Sequence, residues 1–567
     1  MQKRWVEVPV TQPEVLAKLQ KSLQINEVLA QLLVLRGIHT FDEAREFFRP
    51  ELDELHDPFL MKDMGEAVIR IEQALARGEK ILVYGDYDVD GTTAVALVYS
   101  FFSQLHQAID FYIPDRYHEG YGISFKGIDY AQEQGYSLII ALDCGIKSLD
   151  KVAYANERSI DFIICDHHLP GDTLPEAVAV LDPKRADCQY PFKELAGCGI
   201  GFKLVQAFAY QNDIPSEQVE KYLDLVAVSI AADIVPINGE NRILAWHGMK
   251  QLNEHPCPGL DALMDIAGRK AFYTLSDAVF QLGPRINAAG RIADAKHAVS
   301  LLISKNKTEA LEKARLIDGQ NEERRGHDSD ITEQALALIE GDMALVERKS
   351  TVVFNEKWHK GVIGIVASRL TETYYRPTVV LTQSNGVVAG SARSVMGFDL
   401  YEALSACSDL LEQFGGHKYA AGLTMKAENI PAFQNRFEEV VSATITEELL
   451  VQEIKIEAVI GLHQIDGRFF RILNQFEPHG PSNMTPVFLS KNVYTYGQAS
   501  VVGGKHLKLK IRQGESPYFD CIGFGLGDLC EVLNQGLPFD MCYSIEENIW
   551  KDRRTVQLKI RDIRISA

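Results

Sequence analysis

The sequence has no run of 18 or more apolar residues, the length that a membrane-crossing helix requires, so nothing in it reads as a span. Its opening, MQKRWVEVPVTQPEV, lacks the apolar centre of a secretory signal, and a cytoplasmic location is the expectation. The nine cysteines (residues 144, 165, 188, 198, 257, 407, 521, 530 and 542) are odd in number and never spaced as CxxC. That argues against a disulfide framework or zinc knuckle and for reduced thiols serving as small buried hydrophobes. Positive charge is also short. Lysine plus arginine (58) against aspartate plus glutamate (78) leaves a net charge of −20, which by itself argues against a polyanionic partner such as DNA or an acidic membrane surface.

What is present is an ordinary globular composition, 46% hydrophobic and 24% charged, over 567 residues, enough for three or four domains at about 150 residues each. Residues 1 to about 75 read as a helical lead-in: INEVLAQLLVLRGI carries helical periodicity, and Phe41 to Phe48 continues it up to Pro50. From about Lys80 to Pro236, short β-branched runs (KILVY, SLIIAL, DFIIC, AVAVL) alternate with helical segments, which predicts a doubly wound parallel sheet. A polar helical stretch from about Thr308 to Glu340, broken by Gly319 and Gly326, reads as an exposed connector. A second, smaller α/β unit begins at STVVFNE and runs to about Ala443. An acidic patch (Glu438, Glu439, Glu447, Glu448, Glu453, Glu457) marks a boundary after it. From about Glu453 onward, KLKIR, FDCIGFG and TVQLKIRDIRI alternate with glycine turns and little helical pattern, which predicts a small β-barrel.

Ligands of parallel α/β sheets bind outside the carboxyl ends of the strands, and here three strands run directly into acidic or imidazole side chains. KILVY leads to Asp86, Asp88 and Asp90, SLIIAL to Asp143, and DFIIC to Asp166, His167 and His168. Carboxylates packed so closely raise one another's pKa, and binding hard divalent cations keeps them ionised. Asp86, Asp88 and Asp90 before Gly91 also match the opening of an EF-hand loop, but its twelfth position holds Leu97 where a bidentate glutamate is needed, and a strand stands where a helix should precede. Aspartates capping the helices after each strand would account for Asp90 or Asp143 singly, but not for an Asp-His-His tripeptide beside both. Mixed carboxylate and imidazole donors suit manganese or magnesium better than zinc or calcium, and there are more of them than one ion needs. Two ions about 3.5 to 4 Å apart are the usual clamp for phosphoester hydrolysis.

The stretches VYGDYDVDG (83 to 91), ALDCGI (141 to 146), CDHH (165 to 168), AADIVP (231 to 236) and QLGPRINAAGR (281 to 291) closely resemble the DHH/DHHA1 phosphoesterase superfamily, specifically its RecJ branch of bacterial single-strand DNA exonucleases. The resemblance covers nearly the whole chain, including LLVLRGI, WHKGVIGIVASRL (358 to 370), GSARS (390 to 394) and FGGHKYAAG (414 to 422). It implies a helical lead-in over 1–75, a DHH catalytic core over 76–305, a connector helix over 306–345, a DHHA1 substrate-binding domain over 346–445 and an OB-like nucleic-acid-binding barrel over 453–567.

The same resemblance implies that Asp88 and Asp90 ligate two Mn2+ or Mg2+ ions, that Asp143 bridges them, and that His167 and Asp233 complete the second site. Asp86 would reach a metal through water, and His168 would contact the scissile phosphate or orient the nucleophile. Ser391 and Arg393 resemble the family's backbone-binding pair, and Gly415, Gly416 and His417 its glycine-rich motif, where the main chain approaches a phosphate. Arg285, Asn287 and Arg291 would hold the strand near the metals, and Arg116, in IPDRYHEGYG, would anchor the DNA 5′ end. For each arginine the plain alternative is a surface ion pair.

In the barrel, Lys505, Lys508, Lys510 and Arg512 lie close together without an acid, and Lys551, Arg553, Arg554, Lys559, Arg561 and Arg564 follow. Strand alternation puts Lys508, Lys510 and Arg512 on one face, as in a backbone-tracking groove or a solvated edge strand. The expected activity is a 5′-to-3′ exonuclease that releases 5′-mononucleotides from single-stranded DNA in recombination and repair, as a monomer working with a single-stranded DNA-binding protein and a RecQ-type helicase. The alternatives are a phosphodiesterase or pyrophosphatase of the same superfamily acting on a small substrate, and a non-catalytic DNA-binding scaffold. The basic barrel disfavours the first, and the filled ligand positions disfavour the second.

Overall fold

The computed structural model describes residues 3–384, 386–550 and 553–565. Among them no helix is long and apolar enough to cross a membrane. The chain divides into a larger unit (Val6–Gly290, Asp294–Ile317 and Lys455–Ala567) and a smaller one (Met1–Trp5, Arg291–Ala293 and Asp318–Ile454).

The centre of the larger unit is a five-stranded sheet of β1 (Lys80–Gly85), β2 (Ile109–Tyr112), β3 (Tyr136–Leu142), β4 (Asp161–Cys165) and β5 (Ala179–Leu181), in the order β2-β1-β3-β4-β5. Every pairing is parallel. Side chains along β1 alternate between two separate cores, Ile81 and Val83 on one face, Leu82 and Tyr84 on the other. Apolar residues therefore fill every position of a strand covered by helices on both sides, the expected doubly wound arrangement. Strand order reverses between β1 and β3, and such a switch point opens a crevice at the carboxyl ends. Helix α1 (Val89–Phe102) follows β1, and α2 (Gly197–Gln211), α3 (Leu223–Asp233) and α4 (Gly239–Glu254) pack behind it.

The smaller unit supplies the next strands in chain order, β6 (Thr351–Phe354), β7 (Thr378–Ser384), β8 (Val387–Arg393), β9 (Gln413–His417) and β10 (Ala420–Met425). The carboxy-terminal segment, part of the larger unit, is a closed barrel. Its strands are β11 (Phe488–Thr495), β12 (His506–Arg512), β13 (Phe519–Gly523), β14 (Phe539–Trp550) and β15 (Arg553–Ile565). Pairing runs β11-β14-β15-β13-β12, and β12 returns to β11 through Tyr494 opposite Arg512 and Thr495 opposite Ile511, which closes the ring of strands. β13 and β15 are parallel and the other pairs antiparallel, as in an OB-fold. Lys551 lies outside the described residues.

The lead-in helices Pro13–Leu23, Glu27–Leu35 and Phe41–Phe48 complete the barrel's core: Leu19, Leu29, Leu32 and Leu33 are buried in one cluster with Leu462, Phe488, Leu507 and Met541. Arg242 of α4 bolts this assembly to the sheet half. It is buried, lies over the Phe47 ring at 3.7 Å, and donates to five carbonyls, those of Phe47, Gln475, Phe476, Glu477 and Pro478. Burial and the neighbouring Arg36 push its pKa down to about 9.

The smaller unit carries a five-stranded sheet ordered β9-β10-β8-β7-β6, parallel only between β6 and β7. Behind it lies α7 (Ile363–Tyr374), after α5 (Gly283–Ile292) and α6 (Lys307–Glu340) in chain order.

Three expectations need correction. The lead-in is not all helix, because Arg4–Glu7 is a strand. The connector is not broken: α6 runs through Gly319 and Gly326, both facing open space, since about 1 kcal/mol per glycine is too little to interrupt a helix of 34 residues. The last segment contains a helix, Gly467–Asn474. The division between the two units falls within the acidic patch, after Ile454; on its two sides Glu438 accepts from the Lys349 and Ser350 main chain, and Glu457 pairs with the Arg36 side chain at 2.7 Å. All nine cysteines are unpaired thiols, seven of them buried.

Replacing Arg242 by methionine keeps volume but leaves its carbonyls without a donor. A loss of about 3 kcal/mol or more is expected from urea denaturation of the full chain; an unchanged midpoint would contradict the bolting role.

Candidate active site

The crevice at the switch point gathers the acidic residues from separate strands and helices. Three sets of side chains hold ligand atoms within 4.8 Å of one another: Asp86, Asp88 and Asp143; Asp90, His167 and Asp233; and Asp143, His167 and His168. Asp143 and His167 each belong to two sets, so the sets form one continuous nest.

Local structure explains how each side chain is held. Asp88 is the N-cap of α1 and accepts from the Gly91 amide at 3.0 Å. Asp90, buried in the first turn, accepts from the Gly197 and Cys198 amides at 2.6 and 2.7 Å and from the Ser229 hydroxyl at 2.6 Å. The N-terminus of α2 thus aims its free amides at a carboxylate. Gly197 is there for a second reason, since a Cβ would stand 2.8 Å from Asp143 Oδ1. Asp143 follows β3 with a φ of 59°, a left-handed turn that aspartate tolerates better than most residues. Asp233 is the last residue of α3.

His167 Nε2 points into the carboxylates, 3.2 Å from Asp143, 3.6 Å from Asp233 and 3.7 Å from Asp90. Asp86 is fully buried, and its Oδ2 has no hydrogen-bond partner among the described residues. His168 is held differently. Its Nδ1 lies 2.7 Å from Asp166, and its Nε2 lies 3.1 Å from the Tyr121 hydroxyl. Asp166 also accepts from the main-chain amides of Ile146, His167 and His168, which fixes the turn that presents both imidazoles.

Burial, and after it the neighbouring carboxylates, hold Asp86, Asp88 and Asp143 above the usual carboxylate range. The same causes push Asp233 up to about 8. Burial lowers the pKa of His167. For His168 burial is again the largest single influence and acts downward, but the hydrogen bond to Asp166 and the negative charges of Asp166, Asp233 and Asp90 together outweigh it and bring the imidazole to about 9. So many raised carboxyls in one nest, with an orphaned oxygen at Asp86, are the donor set that hard divalent cations take.

Arg116 places its guanidinium 4.8 Å over the Tyr87 ring, in the loop between Asp86 and Asp88. α5 lies against the same loop, where a Cβ on Gly290 would come within 2.8 Å of the Tyr87 carbonyl. That helix carries Arg285, which donates to the Gln281 carbonyl at 2.7 Å, and the half-buried Asn287. Arg291 belongs to the smaller unit and donates to the Gly361 carbonyl at 3.0 Å.

In the smaller unit, Ser391 and Arg393 share a strand face, and Arg393 Nη1 donates to Ser391 Oγ at 3.1 Å. A Cβ on Gly364, in the first turn of α7, would stand 3.0 Å from Ser391 Oγ and 3.2 Å from Arg393 Nη2, which puts both at that helix's N-terminus. Register aligns Ser391 with Gly422 and Gly415, and Arg393 with Ala420 and His417, so the two sequence motifs meet on one sheet. Gly415 lies open, whereas Gly416 has a φ of 149° and is pressed against β10, where a Cβ would clash with Ala420. In the barrel, Lys508, Lys510 and Arg512 all face outward.

The sequence reading gave no role to Asp166, Tyr121 or Asp182. Asp182 is buried at the end of β5, pushed up to about 7 by burial, so the rule of acids at strand ends extends to one more strand. Tyr121 carries no such signal.

Three family models match the chain: "DHH family, N-terminal domain" over residues 80–230, "DHHA1 domain" over 347–443 and "RecJ OB domain" over 456–562. A protein of Escherichia coli (strain K12) named single-stranded-DNA-specific exonuclease RecJ is 32% identical over 563 residues, 95% of this chain and 96% of that one. The chain belongs to the RecJ family. A RecJ of Bacillus subtilis (strain 168) is 39% identical over 99% of this chain and 71% of its own. The crystal structure of Thermus thermophilus RecJ in complex with Mn2+ superposes with a TM-score of 0.85 at 27% identity, covering 100% of this chain and 80% of that one.

A raised folded-state pKa means that the folded protein holds protons which the unfolded chain releases, so stability falls as pH rises toward the folded value. With chelator present, thermal stability should fall between about pH 4 and 8, the window set by Asp233. Mn2+ should remove most of that fall, and D143N should raise the chelated melting temperature and blunt the response to Mn2+. A pH response identical with and without Mn2+ would count against the nest as a cation site.

Proposed function

We propose that this chain hydrolyses single-stranded DNA from its 5′ end to 5′-mononucleotides, using two divalent cations, Mn2+ or Mg2+. The observation that carries the reading is the continuous nest of Asp86, Asp88, Asp90, Asp143, His167 and Asp233, six side chains of a kind that can ligate metal, brought to one crevice. It is supported by the names of the relatives, single-stranded-DNA-specific exonucleases, and by Thermus structures in complex with Mn2+ and with Mg2+.

Asp88, Asp90, Asp143, His167 and Asp233 would hold the ions, with Asp86 beside them. Bound there, the pair would supply an activated water and stabilise charge on the attacked phosphate. The protein's own part is positional. Asp166 fixes the His168 ring through Nδ1, and Nε2 would exchange its Tyr121 hydroxyl partner for the scissile phosphate or the nucleophile. Arg116, held over Tyr87, would receive the 5′ phosphate, a planar donor fork suited to an anion. Arg285, Asn287, Arg291, Ser391, Arg393, Gly415, Gly416 and His417 would contact the strand's backbone, and Lys508, Lys510 and Arg512 would track it along the barrel. Work in the cytoplasm as a monomer, with a single-stranded DNA-binding protein and a RecQ-type helicase, belongs to the same proposal.

End-labelled digestion tests it. D143A should lose at least about 100-fold in hydrolysis while still binding DNA, and a strand blocked at its 5′ end should resist. Digestion that starts from the 3′ end, or full Mn2+-dependent activity in D143A, would overturn it. Changing Lys508, Lys510 and Arg512 together to glutamine should flatten the dependence of log affinity on log salt by about 2. Point changes are the proper test, because deleting the barrel would strip the lead-in helices of their shared core.

A further inference from the structure

Both ring nitrogens of His168 are engaged in the crevice. Nδ1 lies 2.7 Å from Asp166 and Nε2 lies 3.1 Å from the Tyr121 hydroxyl, so the imidazole meets a phosphate only when Tyr121 gives way. The same hydroxyl stands 3.5 Å from the Asp143 carbonyl oxygen. The Tyr121 ring meets His168 edge-on, 5.9 Å between centroids, and Tyr87 edge-on at 6.1 Å. It therefore bridges the Asp-His-His turn and the loop between Asp86 and Asp88, yet the residue is 56% exposed.

The main chain on both sides is anchored. Before Tyr121, the Glu119 carboxylate accepts from the Asp115 amide at 3.0 Å and from the Ser124 hydroxyl at 2.6 Å. After it, the Gly122 carbonyl accepts from the Tyr84 hydroxyl at 3.1 Å, and the Gly122 amide donates to Asp86 at 3.4 Å. Between these fixed points stand Gly120 and Gly122, with φ of 87° and 74°, a region that glycine enters freely. A Cβ on Gly120 would meet open space, so conformation and not packing calls for glycine there. An aromatic arm carried between two glycines and two anchors can turn without disturbing its surroundings, as the hinges of closing loops do. The hydroxyl–imidazole bond that it would break is weaker than the charge-assisted bond to a phosphate oxygen that would replace it.

We propose that Tyr121 is a latch on His168. In the empty crevice its hydroxyl occupies Nε2 and, opposite Asp166, holds the ring in the orientation from which it meets the scissile phosphate. When the strand enters, Tyr121 turns aside and the phosphate takes its place. Tyr121 is thus a positioning residue that acts through His168, and part of the strand's binding energy goes into releasing it, so it sets how tightly the substrate is held. The proposal rests on the reading of His168 as the imidazole that meets the scissile phosphate in a single-strand nuclease, and adds to it the group that keeps this imidazole in place between substrates.

Initial rates of the full-length protein on a single-stranded thymidylate 20-mer with Mn2+ test the latch in a double-mutant cycle of Y121F and H168A. Y121F removes the hydroxyl and keeps the ring. It should raise kcat/KM by about two- to tenfold, the scale of one exchanged hydrogen bond, through a lower KM at unchanged kcat. A residue that only supports the fold would show the reverse, a loss of activity together with a lower melting temperature, and the melting temperature of Y121F should equal that of wild type. In the H168A background Y121F should change nothing, because the group that it frees is gone. Unchanged kinetics in Y121F, a higher KM, which would make Tyr121 a direct hold on the strand, or an equal gain in the H168A background would each overturn the latch. If H168A hydrolyses the strand as well as wild type does, the role read for His168 fails and the latch with it, while D143A still decides the metal nest. If H168A is impaired and Y121F is not improved, the latch alone fails.

Discussion

Mutual repulsion among carboxylates confined to one strand edge is the constraint on which the rest of the larger unit turns. Asp86, Asp88, Asp90, Asp143 and Asp233 arrive from two strand ends, a helix start and a helix end, and three of them are placed by specific neighbours. The amides that begin α2 and the Ser229 hydroxyl hold Asp90; the absence of a side chain at Gly197 admits Asp143; the α1 cap holds Asp88. Buried and held beside one another, these carboxylates show the cost as raised pKa values.

Much of this was legible in the sequence, for a stated reason. In a doubly wound sheet the strand ends are identifiable from apolar runs alone, and the chemistry sits where the runs stop, so Asp86, Asp143 and the Asp-His-His tripeptide could be placed without coordinates. Asp233 could not, because it ends a helix of bland composition, and only the family pattern pointed to it. Tyr121 was hidden for a similar reason, since an exposed tyrosine in a glycine-rich loop has no periodicity to betray a partner at His168. Local pattern also hid β2, a short edge strand whose apolar residues are interrupted by Asp110.

Long-range pairing was the other gap. Nothing in INEVLAQLLVLRGI announces that its buried face meets residues more than 400 positions away, nor that Arg242 would serve backbone carbonyls near residue 476. The net charge of −20 misled for a related reason: a sum over the chain says nothing about where the charges lie. Acids are drawn into the nest and into pairs such as Glu457 with Arg36, while one barrel face displays cations.

The core shared by the lead-in and the barrel has a consequence for the protein's birth. A ribosome adds about 5 to 20 residues each second, so the first helices wait roughly half a minute to two minutes before β14 and β15 emerge to cover them. Throughout that interval an apolar face is open to chaperones, and the sheet half is complete before it. A chain cut short after the sheet half but before the barrel therefore leaves the leucines of its first helices without their partners.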